Sequence, residues 1–281
     1  MLERAEADLG ERVAILAVNA ARQRLGSAVE SGFAIGSLAH GGFVAAVSDV
    51  DVAFVLRDDA HDATSVMAQV KEDVRDRCSG TELEALADRL SLFWDTWECL
   101  ERNQESGRFP AIDRADLIES GRLLFGTDRR SVCTPPSTLD LVACGATFFV
   151  AKFHRRAYIE TLLDGERLVD SGRRAVTKAV MFPVRILYTL ERGVLSGNRA
   201  AARYYTAARH PGAELVAACV DWREQGIEST DRARALIDEH LVDIYDFAAR
   251  EQARFLDGVG LPASSRQLRD FASALRPTAR A

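Results

Sequence analysis

The stretch AIGSLAHGGFVAAVSDVDVAFVL, residues 34–56, decides the fold of the first half of this chain. Its last seven residues, Val50 to Leu56, are rich in β-branched side chains, and this composition favours a β-strand. Gly36-Ser37 ends an earlier candidate strand, Gly32 to Ile35, and enters a loop or helix start where backbone N–H groups can meet phosphate oxygens. The sequence therefore predicts two strands joined by a segment suited to an anion.

Two aspartates stand at the start of the second strand. Asp49 and Asp51 are two residues apart, so on a strand they project to the same face. Adjacent carboxylates repel each other, and their pairing makes most sense around a hard divalent cation such as Mg²⁺. The opposite face of the strand is wholly apolar and is expected in the core. Neither Gly-Ser nor Asp-x-Asp is specific alone, but their order and spacing here indicate a functional site.

The flanking segments predict helices packed on a small mixed sheet. Residues 2–24 have helical periodicity, residues 63–87 read as one or two helices, and Leu90 to Thr96 reads as another strand. From about Asp113 the pattern is helical again, through RADLIESGRLLFG, residues 114–126. This order of elements predicts an α+β domain.

Pro135-Pro136 marks the predicted domain boundary, because proline continues neither a helix nor a sheet ladder. We therefore expect one domain over residues 1–135 and a second, all-α helical bundle over residues 136–281. Ser137 and Asp140 form a candidate N-terminal cap for the first helix of the bundle. The helices expected there cover Ser137 to about Leu163, Arg173–Arg192 with a kink at Pro183, Asn198–Ala208, Pro211–Gln225, Asp231–Asp257 and Ser264–Leu275.

Charge and composition exclude several classes of protein. The 281 residues carry 36 Lys and Arg against 42 Asp and Glu, a formal net charge of −6. General nucleic-acid binders have a basic excess or stripe, so we expect no nucleic-acid partner, and a polyanionic ligand would need a local cluster of donors. The sequence also predicts no membrane span and no secretory signal, and five scattered cysteines fit a reducing cytoplasm.

The segment GSLAHGG–SDVDV resembles the signature of the nucleotidyltransferase superfamily typified by DNA polymerase beta. The order of this motif and a later helical bundle is similar to the antibiotic nucleotidyltransferases, especially the streptomycin/spectinomycin adenylyltransferases. A weaker similarity lies in KAVMFPVRILYTLERGVLSGNRAAARYY, Lys178 to Tyr205. The motif covers under a tenth of the chain, and the remainder matches in layout more than in residues.

This resemblance implies transfer of a nucleoside monophosphate from a triphosphate, with ATP as the default donor and pyrophosphate as the leaving group. It implies that Asp49 and Asp51 are catalytic ligands of two Mg²⁺ ions and that Gly36 and Ser37 hold the triphosphate. The superfamily adds a third carboxylate from a later strand, and the matching position here is Ser91. Asp95, four residues on, is the expected substitute, and the alternative is a solvated acid at a strand end.

The resemblance also leads us to expect donors for the β- and γ-phosphates in the helical domain. Lys178 and Arg185 are seven residues apart, hence on one helix face, and are the expected nucleotide-binding pair. Lys152, Arg155 and Arg156 form a second basic group. Solvated surface charge is the alternative reading for both groups.

The acceptor stays open at the level of sequence. A small hydroxylated molecule leads, with aminoglycoside-like antibiotics and hence antibiotic resistance as one possibility. Two residues depart from a streptomycin-type pattern. Ser91 stands where an acid is expected, and Arg203 precedes Tyr204 where a cation would repel a cationic drug. Two alternatives remain: an antitoxin-like nucleotidyltransferase that modifies a protein, and a nucleotide-binding regulator without turnover.

Overall fold

The computed structural model describes residues 2–58, 60, 62–153 and 156–275. The chain divides into two compact units, Met1–Pro136 and Ser137–Ala281. This division lies one residue from the boundary predicted at Pro135-Pro136. The chain is α+β, with a small mixed sheet in the first unit and helices in the second.

The first unit places six helices around four strands in the part of the chain that is described. The helices are α1 (Leu2–Leu25), α2 (Ser37–His40), α3 (Ala63–Cys78), α4 (Glu84–Ala87), α5 (Trp97–Glu101) and α6 (Ala111–Ser120). The strands are β1 (Val29–Ile35), β2 (Val50–Leu56), β3 (Leu90–Asp95) and β4 (Arg122–Gly126). The predicted strand over Val50 to Leu56 is confirmed at both ends.

The sheet has the order β3-β2-β1-β4. Strand β2 runs antiparallel to β1 and parallel to β3, and β4 runs antiparallel to β1. Because β2 and β3 are parallel, the first residues of both strands lie at one end of the strands and the last residues at the other end. The Asp-x-Asp segment therefore lies at the end of the sheet where β2 and β3 begin.

Both faces of the sheet are covered. The face predicted to be apolar, with Val50, Val52 and Phe54, is fully buried in a core that includes residues of α1 and α3. The opposite face is also buried from Ala53 onward, against a second core with residues of α5 and α6. Of the alternating positions on that face of β2, only Asp51 is incompletely buried.

The helical prediction for the end of residues 114–126 is wrong. Helix α6 ends at Ser120, and Arg122–Gly126 forms the edge strand β4, with Gly32 opposite Phe125. A Cβ atom at Gly121 would lie 2.6 Å from the carbonyl oxygen of Leu117, so a glycine there permits the tight exit from the helix. The hydrogen-bonding edge of β1, which local periodicity does not register, gives this segment its partner.

The regular elements described in the second unit are all helices. Its helices are α7 (Thr138–Phe153), α8 (Arg156–Leu162), α9 (Gly165–Asp170), α10 (Arg173–Arg192), α11 (Asn198–Ala207), α12 (Ala213–Gln225), α13 (Thr230–Gly258) and α14 (Pro262–Leu275). The run predicted from Ser137 to about Leu163 is helical over Thr138–Phe153 and over Arg156–Leu162, with residues 154–155 outside the described part of the chain, and the short helix α9 was not predicted. The helices of this unit pack around one core, with Phe149, Val184 and Tyr245 fully buried.

Local signals located the helix ends of this unit well. The Ser137 hydroxyl accepts from the Asp140 N–H at 3.2 Å, and the Asp140 carboxylate accepts from the Ser137 N–H at 2.9 Å. This reciprocal pair confirms the predicted cap. Helix α10 spans the predicted residues and ends at Gly193, whose φ of 71° is left-handed. None of the described helices is long and apolar enough to cross a membrane.

Candidate functional site

The Gly-Ser turn and the Asp-x-Asp strand meet at one point. Ile35, the last residue of β1, lies opposite Asp51 of β2, so Gly36 comes directly beside the Asp51 side chain. Gly36 has a φ of 65°, and a Cβ atom there would lie 2.7 Å from Asp51 Oδ2. Gly36, Ser37 and Asp51 are each half-buried. Glycine is therefore required here both by its backbone angle and by the approach of the carboxylate.

A carboxylate that sequence reasoning missed contacts the Gly-Ser turn from another helix. The backbone N–H of Gly36 donates a hydrogen bond to Oδ2 of Asp116, in helix α6. Glu119 lies one turn further along α6, and burial, followed by the charge of Asp116, raises the pKa of its carboxyl. The spacing of these acids shows that they share a side of the helix. It does not show that the helix crosses the end of β1, and so their place at the site could not be predicted.

Asp49 lies in the extended segment just before β2 and is half-buried. Its negative charge reaches Lys71 of helix α3, whose pKa is lowered mainly by burial and further by Arg75 and Arg108. The charge of Asp49 opposes that lowering. A lysine thus stands near the first aspartate, a neighbour that the sequence did not indicate.

Strand β3 places a serine, and not an acid, at the end of the sheet where Asp51 lies. Asp51 pairs with Ser91 in the parallel register of β2 and β3. Ser91, the position where the resemblance implies a third carboxylate, therefore lies beside Asp51 and carries a hydroxyl.

The expectation that Asp95 completes the site needs correction. Asp95 pairs with Val55, four residues further along both strands, which is roughly 13 Å from the Ser91 position. It is 2% exposed, so it is not a solvated acid either. Its Oδ1 accepts from the Thr96 N–H at 2.9 Å and the Ser106 hydroxyl at 2.7 Å, and its Oδ2 accepts from the Ser106 N–H at 3.1 Å. Asp95 fastens the loop after β3 and does not join Asp49 and Asp51.

A cleft of about 650 Å³ opens at the opposite end of the strands, where β2 and β3 end. Leu56, Asp58 and Trp97 contribute to its lining. Trp97 is 4% exposed and makes an edge-on contact with Phe33, with ring centroids 6.2 Å apart, so it is a core residue. The Gly-Ser turn and the Asp-x-Asp segment do not line this cleft.

In the helical unit, Lys178 and Arg185 are both exposed on helix α10. Arg223 of helix α12 lies near Arg185 and is only 7% exposed. Burial is the main cause that lowers the pKa of Arg223, and the charges of Arg185 and Arg173 lower it further. The Arg173 guanidinium donates to the Trp222 carbonyl at 2.7 Å. Several cations thus gather where α10 and α12 adjoin, and only Arg185 of this group was predicted.

The second predicted basic group cannot be placed in the same way. Arg155 lies outside the described residues. The side chains of Lys152 and Arg156 are also outside the described part of the structure.

The donor atoms at the Gly-Ser turn fit a magnesium ion only together with a phosphate ligand. Among the described residues, no group of three or more His, Cys, Asp or Glu side chains converges to hold a metal. Mg²⁺ is commonly held by one or two protein carboxylates together with substrate phosphates and water. Asp51 supplies one carboxylate beside the glycine turn, and Asp49, two residues earlier in the chain, is the candidate for the second.

Comparison with known proteins adds no assignment. No protein-family model matches the chain, and no curated protein matches it either.

Proposed function

We propose that this chain is a magnesium-dependent nucleotidyltransferase that moves a nucleoside monophosphate, with ATP as the expected donor, onto a hydroxyl group of a small molecule. The observation that carries the proposal is the contact between the Gly-Ser turn and the Asp-x-Asp strand. A Cβ atom at Gly36 would lie only 2.7 Å from Asp51 Oδ2, so a phosphate near the turn is also near the carboxylate.

The residues of the turn have separable roles. Ser37 would bind the triphosphate through its backbone N–H and its hydroxyl, and Gly36, whose own N–H is donated to Asp116, leaves room beside it for the phosphate. Asp49 and Asp51 would hold Mg²⁺, which when bound neutralises phosphate charge and orients the groups for in-line displacement. Ser91 lies next to Asp51 and adds a hydroxyl without charge.

The reaction conserves atoms in a simple way. The acceptor oxygen forms a bond to the α-phosphorus, the bond to the bridging oxygen breaks, and pyrophosphate leaves. The proton of the acceptor hydroxyl needs a base near the turn. We assign this role to Asp116, because its carboxylate already touches Gly36, whereas the hydrogen bonds of Asp95 hold it at the other end of β3.

Lys178 and Arg185 of the second unit remain proposed nucleotide-binding residues, and Arg223 is the buried neighbour of Arg185. Arg185 and Arg223, on the adjoining helices α10 and α12, provide a local pair of cations in a chain of net charge −6. The acceptor class is a small hydroxylated compound, with aminoglycoside-like antibiotics as the first candidates to test.

The deciding experiment measures magnesium-dependent pyrophosphate release from ATP in the presence of a panel of aminoglycosides and lincosamides. Calorimetry of Mg-ATP binding is run in parallel with Asp51→Asn and with Asp58→Asn as a matched control. Asp58 follows the opposite end of β2 and lines the far cleft. Binding that Asp51→Asn loses and Asp58→Asn keeps supports the nucleotide site, and turnover with one drug identifies the acceptor.

Two other outcomes would revise the function. Mg-ATP binding that depends on Asp51, without turnover on any acceptor, would favour a regulator. Equal binding by both variants, or none by the wild-type protein, would overturn the assignment of the Gly-Ser turn.

A further inference from the structure

The segment that delivers Asp49 to the site is a loop, and side chains from outside the loop hold it in place. Residues 43–48 connect the short helix α2 region to β2 and form turns in which the Ser48 N–H donates to the Val44 carbonyl at 2.8 Å. The Ser48 hydroxyl, in turn, accepts from the Val44 N–H at 3.0 Å. These bonds order the loop internally, but they do not attach it to the sheet.

Arg89, directly before β3, makes that attachment. Its guanidinium donates to the Ser48 carbonyl at 2.9 Å and to the Ala45 carbonyl at 2.6 Å. Its Nε donates to the Ala85 carbonyl at 2.7 Å, which fixes the arginine itself to helix α4. This planar side chain thus joins the loop to helix α4, and a Glu6 carboxylate of α1 also accepts from the Ala45 N–H at 2.9 Å.

The main chain of Arg89 grips the other side of Asp49. The Val50 N–H donates to the Arg89 carbonyl at 3.3 Å. The residue before Asp49 is therefore held by the Arg89 side chain, and the residue after it by the Arg89 backbone. This leaves little freedom for the backbone that carries the Asp49 carboxylate.

We propose that Arg89 is a positioning residue that sets the affinity of the Asp49–Asp51 pair for a divalent cation by fixing the backbone on both sides of Asp49. This role rests on the proposed function, since it presumes that the pair binds metal. Groups that orient metal ligands from behind typically change metal affinity by about 10- to 100-fold when they are lost.

Charge and geometry predict opposite results for the removal of this arginine. If Arg89 acted only as a positive charge near the aspartates, its loss would strengthen the binding of a cation. If it acts by positioning, its loss weakens binding. Arg89→Met removes both the charge and the hydrogen bonds, and Arg89→Lys keeps the charge but cannot bridge the same three carbonyl oxygens.

The test titrates the purified full chain with Mn²⁺ and follows the free ion by electron paramagnetic resonance. We expect the Mn²⁺ dissociation constant to rise about tenfold in Arg89→Met and to rise also in Arg89→Lys. Arg12→Met is the matched control, because Arg12 forms an exposed ion pair with Glu82 at 2.5 Å and leaves the loop untouched. Hydrogen exchange of peptides that cover residues 43–50 should speed up in both Arg89 variants and stay unchanged in the control.

The failures are distinguishable. If wild-type protein has no Mn²⁺ site that Asp51→Asn removes, the proposed function fails, and with it the metal pair that Arg89 would position. If the wild-type site exists but both Arg89 variants bind Mn²⁺ within twofold of it, or more tightly, only the role of Arg89 is overturned. Should Arg89→Met not fold, the same comparison is made with Arg89→Lys.

Discussion

Asp51 and Asp95 lie on paired strands of one sheet, yet they stand in opposite surroundings. Asp51 is half-buried at the edge where β2 begins, beside a glycine turn that leaves room for a ligand. Asp95 is 2% exposed at the edge where β3 ends, and its oxygens are used by Thr96 and Ser106. An acid at the end of a strand is thus either a candidate metal ligand or a group that orders a loop, and this depends on the end of the sheet at which it lies.

The largest effect should come from Asp51. We expect Asp51→Asn to lower the rate of pyrophosphate release by roughly a thousandfold, about 4 kcal/mol of transition-state stabilisation, because a metal-binding charge is lost. The melting temperature should change little, since Asp51 is half-buried at the sheet edge. Steady-state kinetics with the accepted substrate checks this, and wild-type rates in Asp51→Asn would remove the contrast with Asp95.

Replacement of Asp95 should affect stability and leave binding intact. Asp95→Ala leaves the N–H groups of Thr96 and Ser106 without their carboxylate acceptor, and we expect the free energy of unfolding to fall by roughly 3 kcal/mol. Urea denaturation measures this loss, and calorimetry on the folded fraction should give the Mg-ATP affinity of the wild type. A variant of normal stability that no longer binds Mg-ATP would return Asp95 to the site.

Gly36→Ala tests how close the turn must come to Asp51. The backbone of Gly36, with φ 65° and ψ −152°, lies in a region almost restricted to glycine, so alanine should cost about 2 kcal/mol of stability. The Cβ clash with Asp51 Oδ2 should weaken Mg-ATP binding roughly tenfold. Gly80→Ala is the control, since Gly80 has a φ of 71° and nothing within 4 Å of its would-be Cβ. Urea unfolding and calorimetry are compared, and equal Mg-ATP affinities in the two variants would contradict the close approach.

The smallest effect concerns Glu119, on the helix that brings Asp116 to the turn. Burial and the charge of Asp116 raise its pKa, so the native state holds this proton more tightly than the unfolded state does. Ionisation of Glu119 therefore lowers stability above its native pKa, and the penalty disappears as the pH falls. Glu119→Gln should raise the free energy of unfolding by at most about 0.5 kcal/mol at pH 7.

Below about pH 3 the carboxyl is protonated in both the native and the unfolded states, and no difference should remain. Urea titrations at the two pH values measure the effect. A variant that is less stable than wild type at pH 7 would indicate that the ionised carboxylate has a stabilising partner.

Local pattern predicted the elements whose signals lie within their own residues. The strand at Val50–Leu56, helix α10 and its Gly193 end, and the cap at Ser137 follow from β-branching, helical periodicity and capping chemistry. The helical prediction for Arg122–Gly126 was wrong because the strand conformation of this segment comes from pairing with β1, some ninety positions earlier.

The sequence by itself determined that a Gly-Ser turn precedes an Asp-x-Asp strand, and the register of Ile35 with Asp51 placed the two together. Only the tertiary structure decided which other acid joins them. Asp116 reaches Gly36 because α6 packs beside β1, while Asp95 lies roughly four residues of strand away. The physical reason is that spacing along a chain fixes the face of an element, whereas the edge at which two elements meet depends on the direction and register of their packing.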